Sequence, residues 1–183
     1  MTYEEATEYL FTRTTSFEKQ GAAGYKEGLQ TTLALDEHFE HPHHKFKTIH
    51  VAGTNGKGST CHLLASILQS AGYRVGLFTS PHLVDFSERI RVDGEEIDHT
   101  YVVEWVKRWA SINETSDDTS SLMRFQPSFF ELATMLAFCY FADREVDEFA
   151  ACYRSDLADY VFSLQAMLPL CNSNSNFPHR NRL

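Results

Sequence analysis

An α/β fold, with a P-loop-type parallel sheet flanked by helices, is predicted by three observations. A β-branched, alternating run, Phe46-Lys47-Thr48-Ile49-His50-Val51-Ala52, stops at a Gly-rich turn. Leu63, Leu64, Ile67 and Leu68 then recur at helical spacing until Ala71-Gly72, and a short apolar run, Arg74-Val75-Gly76-Leu77-Phe78, follows. Strand, loop, helix, strand is a βαβ unit, whose right-handed crossover makes the two strands parallel.

Around that unit the elements follow in order. Residues 2–11 and 27–38 carry apolar positions at helical spacing, among them Leu29, Leu33 and Leu35, on either side of the polar, Gly-containing stretch Lys19 to Gly24. His41-Pro42-His43-His44 breaks the helical pattern; without Cys or carboxylate companions in the motif it reads as a solvated linker, and no metal is assigned to it. Arg89 to Val92, Asp93-Gly94 and Glu95 to Ile97 predict a small hairpin, because Asp-Gly accommodates the positive φ angles of a type I′ turn. Tyr101 to Ile112 reads as a helix and Asn113 to Ser121 as a Ser/Thr/Asp-rich loop. Phe129 to Phe141 is a largely apolar helix that should pack on the sheet.

The 183 residues suffice for one core, and 43% hydrophobic with 22% charged residues is the composition of an ordinary globular chain. The formal charge of −9 argues against a nucleic-acid surface, which needs clustered Lys and Arg. No apolar run approaches the roughly 20 residues of a spanning helix, and Met1-Thr2-Tyr3-Glu4-Glu5 is not a secretory start, so the expected location is the cytoplasm with no membrane partner. Cys61, Cys139, Cys152 and Cys171 are widely spaced and read as free thiols.

Chemistry is concentrated in Gly53-Thr54-Asn55-Gly56-Lys57-Gly58-Ser59-Thr60, between the first strand and its helix. Backbone N–H groups and the helix dipole favour a phosphate there. Glycines let the backbone approach the oxygens, Lys57 offsets the β/γ charge, and Ser59 or Thr60 offers a hydroxyl. The pattern departs from the common Walker form: Val51 stands where its first Gly would fall, and Gly58 intervenes between Lys57 and Ser59. Taken alone, the residues also allow a Gly-rich turn with an exposed Lys, or a different P-loop enzyme such as a small kinase with Asp85 or Glu88 as base.

Val51 to Ser59 resembles the ATP loop of the Mur-ligase superfamily, in the form seen in its folate branch, the folylpolyglutamate synthase/dihydrofolate synthase family. Thr79-Ser80-Pro81-His82-Leu83-Val84-Asp85-Phe86-Ser87-Glu88-Arg89-Ile90 is similar to the segment after that branch's second strand, and Ser128-Phe129-Phe130-Glu131 resembles the start of its pterin-side helix. The resemblance runs from about Thr2 to Asp147 and covers about the first third of the family's usual length. It implies a sheet that is incomplete relative to the family's ATPase domain. It also implies ATP at residues 53–60, Mg²⁺ at Ser80, and a pterin pocket along Pro81, His82 and Ser128 to Glu131, with Lys26 to Leu29 beside it. The activity implied is an ATP-dependent ligase, usually monomeric, that joins glutamate to dihydropteroate or folate through an acyl phosphate.

The residues themselves support part of this. Ser80 ends a parallel strand at the carboxyl edge, where ligands of open α/β sheets bind, and a hydroxyl is a hard ligand suited to Mg²⁺. It also reads as an ordinary strand-end cap. Phe129 and Phe130 read equally as core aromatics, Glu131 as a helix cap or a ligand contact, and His82 as packing or contact.

After Val146-Asp147 the family continues with a strand ending in a Mg²⁺-binding Glu and a Gly-Leu-Gly-Gly-Arg-Leu-Asp run, which Glu148 to Leu183 does not contain. Codons permitted for Cys152 to Ser155, read one base later, spell Val-Ile-Glu-Val, and two later segments conceal further family-like stretches in shifted frames. The expected division is therefore residues 1–147 as a truncated N-terminal ATP-binding domain and 148–183 as an aberrant, frameshifted tail. A catalytically inactive nucleotide-binding remnant is the alternative function that this division implies.

Overall fold

The computed structural model describes residues 1–12, 30–51, 55–114 and 127–152. Its helices are α1 (Tyr3–Thr12), α2 (Gln30–His38), α3 (Lys57–Ser70), α4 (His99–Glu114) and α5 (Phe129–Asp143). Its strands are β1 (Lys47–Val51), β2 (Val75–Phe78), β3 (Ile90–Val92), β4 (Glu95–Glu96) and β5 (Glu148–Cys152). Two 3₁₀ turns, Pro42–Lys45 and Phe86–Arg89, connect them.

The sheet runs β1-β5-β2-β3-β4. β5 pairs in parallel with both β1 and β2, and β3 and β4 add an antiparallel margin. The βαβ reading therefore holds for direction, but β1 and β2 are not neighbours: β5 lies between them. β5 also places Glu148–Cys152 inside the sheet, whereas the sequence reading assigned those residues to the tail. The reason is physical. Phe149 and Ala150 are both fully buried, one supplying bulk to a large core and the other a small contact under α3.

Pleat alternation splits the side chains into two layers. Phe78, Phe149, Ile90 and Val92 face α5, where Phe46, Phe138 and Phe141 close round Phe149 at ring separations of 5.8, 5.6 and 4.9 Å. α5 lies close on β2: a Cβ on Gly76 would meet the Phe141 ring at 2.9 Å, so glycine is required there. Val102, Trp105, Val106 and Trp109 form the buried stripe of α4, and α1 contributes Ala6 and Leu10 to the same core. On the other face, α3 rests on a small cluster of Cys61, Leu77 and Ala150, with Val51 against it.

The β3–β4 turn matches its sequence: Asp93 and Gly94 have φ of 52° and 89°, the positive pair that a type I′ turn needs. The histidine stretch is not simply solvated. Asp36 is buried and accepts from His41 Nδ1 at 2.6 Å and His43 Nδ1 at 2.5 Å, tying the 3₁₀ turn to the end of α2. No group of three or more His, Cys, Asp or Glu suited to a metal occurs among the described residues.

Candidate functional site

α3 begins at Gly56, which is left-handed at φ 77° and supplies no side-chain cap. A helix start leaves its first N–H groups without intrahelical partners, so this end is shaped for an anion. Gly56 and Gly58 have nothing within 4 Å of where a Cβ would stand, so the loop surface is open to a ligand. Thr60 turns its hydroxyl back onto the Gly56 carbonyl at 2.9 Å, which leaves Ser59 as the hydroxyl with its proton uncommitted to that carbonyl. Gly53 and Thr54, with the neighbouring Lys26 to Leu29 assignment, lie outside the described residues.

Across from the helix start, Ser80 and Pro81 follow the carboxyl end of β2 and are joined by a cis peptide. A cavity of about 490 Å³ opens between the two, with Asn55, Gly56, Lys57 and Gly58 on one wall and Ser80 and Pro81 on the other. The fold thus brings together the loop and the strand-end hydroxyl that the sequence singled out. A separate cleft lined by Gln69, Tyr73, Arg74 and Asp93 contains none of the motif residues.

The segment that carries Ser80 is fixed by its own residues. Glu88 accepts from the backbone N–H groups of Leu83, Val84 and Asp85 at 2.8–2.9 Å, and these bonds hold its carboxyl below the ordinary range. Asp85 caps the 3₁₀ turn through Ser87 and also accepts from the Tyr3 hydroxyl at 2.5 Å. Burial alone would raise the Asp85 carboxyl; the hydrogen bonds from Ser87 and Tyr3 overcome it and lower it. His99 stacks flat on Tyr3 at 3.6 Å, so α1 and α4 together clamp the loop from outside.

Arg89 links this cavity to the second predicted site. It is buried, donates from Nη1 to Ser80 Oγ at 3.0 Å and from Nε to His82 Nδ1 at 2.6 Å, and its guanidinium lies 5.1 Å over the Phe129 ring. His82 is thus engaged in the protein, beside Phe11 and Phe86. Ser128 and Glu131 close the start of α5 as a reciprocal capping box, and Thr32 donates to Glu131 at 3.2 Å. Phe129 stacks on Phe11 at 4.4 Å, and Phe130 sits 5.9 Å from Phe78; both rings are half-buried. Ser128 to Glu131 do not line the cavity at Lys57; they lie on the far side of Arg89.

Sequence reasoning missed Arg89, Arg91, Thr79 and His62 as residues of this region, the last three of which line the cavity. Arg91 had a signal: between Ile90 and Val92, strand alternation sends it to the opposite face. Arg89 had none, because a buried arginine within a run of charged residues is indistinguishable from a solvated one.

No family profile matches the chain. The dihydrofolate synthase/folylpolyglutamate synthase of Bacillus subtilis is 37% identical over 159 residues, 85% of this chain and 35% of the relative. The chain belongs to the folylpolyglutamate synthase/dihydrofolate synthase family. The folylpolyglutamate synthase structure from Thermotoga maritima superposes with a TM-score of 0.68 at 39% identity, over 82% of this chain and 32% of that one. The Mycobacterium tuberculosis folylpolyglutamate synthase complexed with ADP gives 0.67 at 28% identity, over 82% and 31%. The chain spans about a third of the length of these family members, and across that third the mixed sheet and its flanking helices are those of the family. No helix among the described residues is long and apolar enough to cross a membrane.

Proposed function

We propose that this chain carries the nucleotide-binding part of an ATP-dependent ligase that joins glutamate to dihydropteroate or folate. The observation that carries this reading is the convergence of the Lys57 helix start and Ser80 on one cavity. The family relation and the ADP-bound relative support ATP as the nucleotide. Residues 53–60 would cradle its phosphates, with Lys57 offsetting charge and the uncapped N–H groups of α3 meeting the oxygens. Mg²⁺ would be held at Ser80 Oγ, through the lone pair left after Arg89 Nη1 donates to that oxygen at 3.0 Å, together with phosphate oxygens and water, since one hydroxyl is a hard ligand but not a coordination shell; bound there it would offset the charge between phosphates. Phosphoryl transfer from ATP to the substrate carboxylate gives an acyl phosphate, and the glutamate amine displaces phosphate to form the amide. This chain's part is positioning and charge stabilisation.

The pterin side is assigned to Pro81, His82 and Ser128 to Glu131. Phe129 is already stacked by Phe11 and overlaid by the Arg89 guanidinium, so a flat heterocycle would meet the edge of this half-buried aromatic group, while Ser128 and Glu131 hold the helix start that presents it. A cytoplasmic monomer whose partners are small molecules is part of the same proposal, the net charge of −9 disfavouring a nucleic-acid surface. Titration of the full chain with MgATP tests the reading. Saturable binding that Lys57→Ala abolishes without changing the unfolding curve is expected, and no binding at millimolar nucleotide overturns it.

A second reading, a catalytically inactive nucleotide-binding remnant, rests on the family-like Val-Ile-Glu-Val that codons permitted for Cys152 to Ser155 would spell one base later. On that reading the frame shifts near codons 151 and 152, so that the tail 148–183 is aberrant from that point on and residues 1–147 form the nucleotide-binding domain. The parallel ladder described reaches Val51↔Cys152, next to the codons where the shift is inferred. Resequencing from codon 140 decides it: a one-base correction that restores Val-Ile-Glu-Val supports the shift, and an unchanged sequence removes it. Glutamate-dependent phosphate release by the purified chain would rule out the inactive reading.

A further inference from the structure

We propose that Arg91 reads the terminal phosphate of the bound nucleotide and makes this site prefer a triphosphate to a diphosphate. The proposal rests on the nucleotide reading given above and adds to it a residue outside the phosphate loop. Ile90 and Val92 are buried in the core under α5, so alternation along β3 sends Arg91 to the α3 face of the sheet. Its register partner on β2 is Leu77, which packs on Cys61 of α3. Arg91 therefore stands one strand outward from the residue beneath the phosphate helix, and it lines the same cavity as Lys57 and Ser80.

The guanidinium is held but not consumed. Nε donates to the Glu88 carbonyl at 3.3 Å and Nη2 to Glu96 Oε1 at 2.9 Å, whereas Nη1 makes no hydrogen bond to the described residues. Glu96 is itself fixed by the Ser87 hydroxyl at 2.5 Å, so the pair has a set orientation. Both partners of the Arg91–Glu96 pair are partly exposed, and a screened surface pair leaves most of the cation's field available to a dianion. An arginine fork suits phosphate oxygens, and its always-charged group does not depend on pH. Lys57, at the helix start, reaches the β-phosphate that both nucleotides carry as well as the γ-phosphate. A cation on the opposite wall, beyond Ser80, is suited to the one that ADP lacks.

The test is equilibrium binding of MgATP and MgADP by the full 183-residue chain and by Arg91→Gln and Arg91→Lys, with urea unfolding as the check on folding. Arg91→Gln should weaken ATP roughly tenfold, the equivalent of one lost charged hydrogen bond, and ADP less than about twofold. Arg91→Lys should recover part of the ATP affinity, because it restores charge without the fork. Equal loss for both nucleotides, or no loss for either, overturns the proposal and leaves the nucleotide reading standing. A wild-type chain that binds neither nucleotide overturns both. Should Arg91→Gln lower stability, the Lys variant decides: an unchanged ATP-to-ADP ratio in it overturns the role.

Discussion

The two faces of the sheet are built to different standards. Toward α5 lies a continuous core in which Phe46, Phe138, Phe141 and Phe149 interlock and to which α1, α2 and α4 all contribute. Toward α3, among the described residues, only Cys61, Leu77 and Ala150 are buried together, and Leu63 and Ile67 on the outer side of that helix remain 66% and 64% exposed. α3 is thus fixed by a few side chains at its base, while its start carries glycines and no side-chain cap. Packing that secures the fold and geometry that serves a ligand have been placed on opposite sides of the same strands.

Four measurements break or sharpen that contrast. Phe149→Ala should cost about 3–5 kcal/mol in urea unfolding, the range for a buried aromatic, because it empties the centre of the thick layer. Leu77→Ala, on the thin side, should cost about 2 kcal/mol; a loss equal to that of Phe149 would erase the asymmetry. Asp36 gives a pH test of how α2 is tied to the thick layer. Burial would raise its carboxyl, but the hydrogen bonds from His43 and His41 prevail and hold it below its ordinary value of 3.8. A folded value lower than the unfolded one means the contribution is complete above the ordinary carboxylate range and is lost as pH falls through the folded value. Asp36→Asn should therefore cost about 1.5 kcal/mol at pH 7 and flatten the decline seen on acidification, and an unchanged acid limb would remove Asp36 from the account. The paired change Leu63→Glu and Ile67→Glu should leave stability within about 0.5 kcal/mol, since neither side chain is buried.

Much of this was legible in the residues. The alternation of Phe46 to Ala52, the Asp93-Gly94 pair and the apolar face of Phe129 to Phe141 each specify a local conformation, and each occurs where expected. The start of α3 at Gly56 and Lys57 was readable because a glycine-rich turn between a strand and a helical run specifies a local conformation. Strand order was not readable, because pairing between Lys47 and Glu148 depends on space, not on proximity in the chain. Nor was the coupling of Tyr3 to Asp85 and His99, since a tyrosine near a chain start has no pattern that names a partner 82 residues away. Arg91 lay between: its face followed from its neighbours, but its cavity followed only from the fold.

The position of β5 also bears on how the molecule is made. β1 and β2 never touch as neighbours; each is joined to the sheet through a strand whose first residue is separated from Lys47 by 101 positions. During synthesis α3 therefore emerges without the strand it later rests on, and the parallel ladder closes only once Glu148 to Cys152 is available. Closing such a distant contact is slow, because chain entropy is lost before the pairing is gained. Nascent chains that stop short of Glu148 should be digested by protease at the rate of unfolded polypeptide, and resistance should arrive in one step as the middle strand is added.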